Sequence, residues 1–304
     1  MSVLNRLHVK DRLQPKDRPG PDELPPSLRP SRRARMITLA VLVLVLVYSL
    51  APIVWLMISA TKSNPDLVST SGWWFAHDNV AANYHALMSW TQGMFWRWVG
   101  NSVLYSLVAG VLGTLLSVAC GYGLAKFRFP GRGAVQVLIM AGLLLPIALL
   151  TIPLYLVFHR LGLTNSMWAI IIPSCVSPFG VFLGRVYAQS SVPDEILESA
   201  RIDGAGEFRI FATMVLRLLA PAMVTIFLFI FVATWNNFLL PLMMINSAEL
   251  KPVTLGLYGM MSYFNPQYGA VLQGALLGVI PLVVLFLGLQ KRWQSGLAAG
   301  AVKG

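Results

Sequence analysis

Residues 98–125 read WVGNSVLYSLVAGVLGTLLSVACGYGLA, a stretch without a single charged side chain. A helix crosses the hydrocarbon of a bilayer in roughly 20 apolar residues, so this stretch is long enough to span one. Uncharged runs of comparable length occupy 36–60, 133–158, 161–184 and 218–248, and a sixth lies within 252–290. Gly256, Tyr258, Gly259, Asn265, Pro266 and Gln267 interrupt the first half of that last run, which places its span at about 269–289. Of 304 residues, 56% are hydrophobic and only 12% charged, with a mean hydropathy of +0.67. The chain therefore reads as an all-α integral membrane protein of six transmembrane helices, at about 36–60, 98–125, 133–158, 166–186, 218–245 and 269–289.

Lysine and arginine set the orientation. Nine fall in residues 1–35, three in 126–132, four in 185–217 and three beyond 290, nineteen of the 23 in all. Lys62, Arg97, Arg160 and Lys251 fall on the opposite side. The positive-inside rule puts both termini, and the loop 187–217, in the cytoplasm. Residues 1–35, rich in proline and charge, read as a flexible cytoplasmic tail, and 36–304 as the transmembrane domain. The apolar segment after Arg35 is too long for the core of a cleaved signal peptide, so the first span is expected to be retained. The net charge of +11 is explained more simply by cations flanking spans than by nucleic acid.

Missing motifs remove whole mechanisms. There is no G-x-x-x-x-G-K-[ST] loop, so the chain is not expected to bind ATP phosphates. Four histidines, at 8, 77, 85 and 159, and two cysteines, Cys120 and Cys175, form no ligand cluster. No metal and no catalytic residue is expected, and both cysteines read as small apolar core residues. No ionisable side chain stands in the middle of a span, where proton-coupled carriers usually keep one. If the protein moves solutes uphill, its energy arrives from another chain.

The polar island between the fourth and fifth spans, Glu198-Ser199-Ala200-Arg201-Ile202-Asp203-Gly204-Ala205-Gly206-Glu207-Phe208, is where that energy would enter. Ser191 is placed to cap a helix, with Asp194 as its reciprocal partner and Pro193 in the first turn. That helix runs to about Asp203, where Gly204 supplies a left-handed turn, and a second helix starts near Gly206 or Glu207. Glu198 is the exposed charge, while Ala200, Gly204 and Ala205 keep the turn slim. By composition alone the segment also suits a plain amphipathic loop helix.

In order, Glu198-Ser199-Ala200-Arg201-Ile202-Asp203-Gly204-Ala205, then Phe208, Phe211 and a leucine-rich run to Pro221, resembles the coupling motif of ABC-importer membrane subunits. Further stretches are similar to the carbohydrate-uptake branch, that of the smaller maltose-importer permease. They are Asn101-Ser102, Lys126 to Arg132, Ile152-Pro153-Leu154-Tyr155, Leu161-Gly162-Leu163, Trp235-Asn236-Asn237-Phe238 and Gly300 to Gly304. The resemblance covers the chain from about Met36 onward. It departs at Ser199, where the family has alanine, and at Arg217, where Leu-Pro is common; losing that proline is expected to leave the helix straighter.

The resemblance implies a type I importer permease fold, in which spans two to six form the core and span one wraps a partner. It implies half of a translocation pore in a prokaryotic inner membrane, for a mono- or oligosaccharide. Implied partners are a second homologous permease, two ATPase subunits carrying ATP and Mg, an extracytoplasmic solute-binding protein and membrane lipid. Coupling to the ATPase falls on Glu198, Ser199, Ala200, Asp203, Gly204, Ala205 and Phe208, with Lys303 and Gly304 as a tail contact. For the substrate path the residues themselves suggest Trp235, Asn236 and Asn237, because amides bind hydroxyls and indole stacks on a sugar face. The same three also suit helix bridging and an interfacial belt. Trp73, Trp74, Trp90, Trp96, Trp98 and Tyr84 suit an outer aromatic belt or a docking face for the binding protein. Gly274 with Gly278, and Gly110 with Gly113, read as helix-packing contacts. Open alternatives are a permease for another polar solute such as a glycerol-phosphate ester, an exporter or lipid-handling permease, a secondary carrier, and a membrane scaffold.

Overall fold

The computed structural model describes residues 31–261 and 266–301, with side chains up to residue 290 in the last helix. Most of the expected tail, together with Asn265, Lys303 and Gly304, lies outside the described residues. The chain divides into two compact units, Met1–Trp55 and Leu56–Gly304. Among the described residues every regular element is helical.

The first unit contributes most of α1 (Arg32–Ser59), which is exposed at every position from 32 to 50. A helix that is apolar on all faces suits lipid rather than water. The second unit opens with two short helices, α2 (Asn64–Ser69) and α3 (Val80–Ser89). The hydroxyl of Ser63 caps α2 by accepting from the Asp66 amide. Then comes α4 (Phe95–Lys126), whose 32 residues make it about 48 Å long.

Spans three to five are broken. Span three, placed over 133–158, is two helices, α5 (Arg132–Leu144) and α6 (Ile147–Arg160), bent by 108°. Pro146 stands at the break, has no N–H to continue the ladder, and fixes its own φ. Span four is α7 (Trp168–Ser174) and α8 (Pro178–Ser191), interrupted at Cys175–Ser177, where Ser177 caps α8 through the Gly180 amide at 3.0 Å. The chain continues through α9 (Asp194–Ile202), α10 (Glu207–Ile210), a π-helical turn over Phe211–Val215, and α11 (Leu216–Leu218).

The segment Glu207–Leu218 meets α12 (Ala220–Trp235) at 81°. Arg217 itself lies within a continuous helical segment. The bend sits at Leu219, with Pro221 in the first turn of α12, so no proline is needed at 217. Span five also breaks, at Asn236–Phe238, before α13 (Leu239–Met244). After α14 (Val253–Tyr258), α15 (Tyr268–Ala301) completes the set. Among the described residues, four helical stretches are long and apolar enough to cross a membrane alone, and counting each bent pair as one span gives six.

Glycine sets how closely α4 approaches α8. A Cβ built on Gly121 would lie 2.5 Å from the Arg185 amide nitrogen and 2.6 Å from the Gly184 carbonyl carbon. Gly180 packs on Ser117, and Gly184 on the Ser117 carbonyl, so a stripe of small residues on each helix lets the backbones touch. Gly110 receives the ring of Phe227, and Gly274 receives Leu257. Cys175 is buried here as expected, but Cys120 is exposed on α4 and is not a core residue.

The opposite end of α4 holds a backbone strap. Arg97 Nε donates to Glu249 O, Trp98 Nε1 to Ala248 O, Asn101 Nδ2 to Glu249 and Lys251 O, and Tyr105 OH to Leu250 O, all within 2.7–3.0 Å. Ser102 Oγ accepts from the Val253 amide at 2.8 Å. Trp98 is buried, at 2% exposure, which removes it from the outer aromatic belt. Trp73, Trp74 and Trp96 remain exposed.

Candidate functional site

Helix α9 is amphipathic. Leu197 and Ala200 are buried, while Asp194, Glu195, Glu198, Ser199, Arg201 and Ile202 face outward. Its start differs from the expected cap. Ser191 lies in the last turn of α8, Pro193 occupies the N-cap position, and no side chain caps the first turn. The Asp194 carboxylate turns away to Lys126 at the end of α4, 2.7 Å from its Nζ. That pair places an anion at a helix start and a cation at a helix end, both favourable to the helix dipoles.

The end of α9 matches the expectation. Gly204 has φ +79°, the Ala205 amide donates to Ala200 O and the Gly204 amide to Arg201 O, each at 3.0 Å. These two bonds are the paired closure of a left-handed C-terminal cap. A Cβ at Gly204 would meet nothing within 4 Å, so glycine is required for backbone conformation rather than for space. Helix α10 then starts at Glu207 behind Gly206.

A second device closes the turn. Arg201 Nε donates to Glu207 Oε1 at 2.6 Å and its Nη2 to Oε2 at 3.4 Å, a two-point clasp across the glycines. The bond to Glu207 holds the Arg201 guanidinium proton more firmly than usual. Both side chains are about half exposed, so the clasp contributes at most about 1 kcal/mol; its effect is to fix direction.

The structure thus brings Glu198, Ser199, Ala200, Asp203, Gly204, Ala205 and Phe208 into one projecting helix-turn-helix. Ala200 is buried beneath it, and Ala205 is half-buried. Phe208 and Ile202, at 85% and 86% exposure, stand as apolar prongs on either side of the turn. Sequence reasoning did not single out Ile202, although an isoleucine at the end of an otherwise polar face was the available signal. A shallow groove of about 270 Å³ runs alongside, lined by Ser199, Asp203, Arg209, Thr213 and Met214 among others. Phe211, which follows α10, and Phe127 pack on Tyr122 of α4, with ring centres 5.7 and 5.6 Å away.

Trp235, Asn236 and Asn237 are not part of this cluster. They stand at the far end of α12, whose 16 residues span about 24 Å. Trp235 is buried and stacked on Phe231 at 5.9 Å, so it does not face an open path. Asn237 holds the helix break, its Oδ1 accepting from the Leu240 amide and its carbonyl from Thr254 Oγ1. Asn236 alone of the three is exposed. Among the described residues no group of three or more His, Cys, Asp or Glu is arranged to hold a metal.

Residues 113–297 match the family of binding-protein-dependent transport system inner membrane components. The chain is similar to the arabinooligosaccharides transport system permease protein AraQ of Halalkalibacterium halodurans, 36% identical, with 70% of this chain and 76% of that one aligned. It is 31% identical to the lactose transport system permease protein LacG of Rhizobium radiobacter, over 88% of this chain and 96% of that one. It is 30% identical to the diacetylchitobiose uptake system permease protein DasC of Streptomyces coelicolor, with the same coverage. A crystal structure of a bacterial ABC transporter that imports the polysaccharide alginate contains a chain with the same fold, at TM-score 0.72 and 22% identity. That match covers 86% of this chain and 98% of the other.

Proposed function

Because this chain belongs to the family of binding-protein-dependent transport system inner membrane components, we propose that it forms half of the pore of an ATP-driven importer for a mono- or oligosaccharide. It is a multi-pass subunit of the inner membrane and a transport component rather than an enzyme. The sugar assignment rests on the relatives, whose names specify arabinooligosaccharides, lactose and diacetylchitobiose.

The observation that carries the mechanism is the clasped turn from Glu198 to Phe208, a rigid polar projection with two apolar prongs. A separate ATPase subunit, carrying ATP and Mg, receives it, with Ile202 and Phe208 entering apolar recesses and Glu198 facing a cation. Closure of two ATPases moves the turn as one body, since the glycine cap and the Arg201–Glu207 clasp leave it little internal freedom. The displacement passes through α10 and the 81° bend into α12, and through the Lys126–Asp194 pair into α4. A second permease supplies the other half of the pore, and a solute-binding protein docks on the opposite face. Two states of the pore are exchanged by ATP binding and hydrolysis. Asn236, exposed at the break in span five, is the residue of its cluster placed to meet a sugar hydroxyl, while Trp235 and Asn237 support the break.

Co-purification from mildly solubilised membranes tests this. Wild-type chain is expected to bring down a P-loop ATPase and a second permease, and Glu198→Arg to lose the ATPase while keeping the permease. Recovery of the chain alone, active in uptake driven by an ion gradient, would identify a secondary carrier instead.

A further inference from the structure

Among the described residues, Arg132 at the start of α5 and Arg185 near the inner end of α8 form no ion pair. The Nε atoms of Arg132 and Arg185 are buried without a hydrogen-bond partner, and the ion pairs among the described residues are Lys126–Asp194 and Arg201–Glu207. The two helices run antiparallel, in a register fixed by Gly142 against Pro178 and by a recess that joins Gln136, Ile139 and Met140 to Val181, Phe182 and Arg185. Arg132 precedes Gln136 by one turn on the same face of α5. Arg185 thus lines the recess, and Arg132 stands one helical turn from it on the cytoplasmic side. Arg185 lies six residues before the end of α8 at Ser191, about 9 Å into the helix. That is the depth at which a long cation reaches the headgroup layer from an apolar surround.

The recess, at about 10 Å³, has room for a single water. One water can satisfy one N–H, but it leaves two positive charges unneutralised at the membrane edge. The surrounding surface is apolar, with Val137, Leu138 and Val186 exposed beside the crossing.

We infer that an anionic phospholipid of the cytoplasmic leaflet sets its phosphate at the mouth of the α5–α8 crossing, outside the recess, against the accessible guanidinium edges of the half-buried Arg132 and Arg185, with Gln136 beside them. A lipid is favoured over free phosphate because an acyl chain continues along the exposed apolar face of α5. Anionic headgroups are recognised by basic recesses between helices on this side of the membrane.

The test uses full-length protein reconstituted in nanodiscs with equal phosphatidylglycerol and phosphatidylcholine, then extracted, with retained lipid read by native mass spectrometry. Wild type is expected to retain phosphatidylglycerol in preference to phosphatidylcholine. Arg132→Gln with Arg185→Gln is expected to lower that retention roughly 25-fold, the product of about fivefold for each cation. Arg128→Gln, which removes an exposed charge from the same inner loop, leaves retention unchanged. Equal retention of the two lipids by wild type, undiminished phosphatidylglycerol in the double variant, or displacement by added inorganic phosphate would each overturn the assignment. Should the double variant fail to fold, Arg132→Gln and Arg185→Gln are compared singly, each expected to lower retention about fivefold, and an undiminished value in both would overturn the assignment.

Discussion

At the crossing of α4 and α8, a Cβ added to Gly121 would collide with backbone at 2.5 Å, whereas at the cytoplasmic turn a Cβ added to Gly204 would meet nothing within 4 Å. The first glycine is needed because two helices share its space. The second is needed because its φ is +79°, a conformation that side chains resist. One protects the fold of the membrane core, and the other protects the direction of a projecting turn. The comparison separates stability from coupling, two properties that a single loss of transport would otherwise merge.

The largest effect is expected at the core. Gly121→Ala should destabilise the protein by about 1–3 kcal/mol, since backbone on both sides must move to admit the methyl group; a fall in Tm of the solubilised protein and loss of monodisperse material would register it. Next comes Gly204→Val, costing about 1–2 kcal/mol of local backbone strain. The exposed turn relieves that strain by leaving the left-handed conformation without disturbing the packed core, so the variant's membrane level and Tm should stay near wild type, and Gly204→Asn, which tolerates the left-handed region, should behave almost as glycine does. If Gly204→Val lowers Tm as much as Gly121→Ala, the division between the two glycines fails.

Smaller effects refine the turn. Arg201→Gln removes the clasp to Glu207 and should cost at most about 1 kcal/mol, because both partners are half exposed. Hydrogen exchange across 203–207 should quicken while the α4 amides keep their protection. Asp194→Asn breaks the tie to Lys126 and loses a favourable charge at the start of α9, about 0.3–1 kcal/mol at low ionic strength. High salt should shrink that difference, and a deficit independent of salt would point to packing instead.

How much was legible beforehand follows the same division. The apolar runs announced the membrane helices, since length and hydropathy are local properties of the chain. The stop at Gly204 was readable too, because a glycine between a charged helix and a second polar start has few other uses. The angle at Pro146 was not, because proline marks a break while surrounding packing decides how far the chain turns. Ser191 failed as a cap because α8 runs on through it, leaving Pro193 at the N-cap and Asp194 free for Lys126. The crossing of Ser117 and Gly121 with Gly180 and Gly184 carried a signal, since Gly180 and Gly184 are four apart and Gly113, Ser117 and Gly121 repeat that spacing. What the spacing alone withheld was which stripe faces which. Trp235-Asn236-Asn237 read as a polar patch inside a span; the three separate in the structure because the helix ends there, turning Asn237 into a cap and burying Trp235.

The most direct test of coupling is the ratio of solute imported to ATP hydrolysed. It would be measured in proteoliposomes holding the assembled transporter and its binding protein, for wild type, Gly204→Val and Gly204→Asn. The expected result is hydrolysis without matching import for valine and a ratio close to wild type for asparagine. A wild-type ratio for Gly204→Val, at normal assembly, would contradict the account and remove the turn from the coupling path.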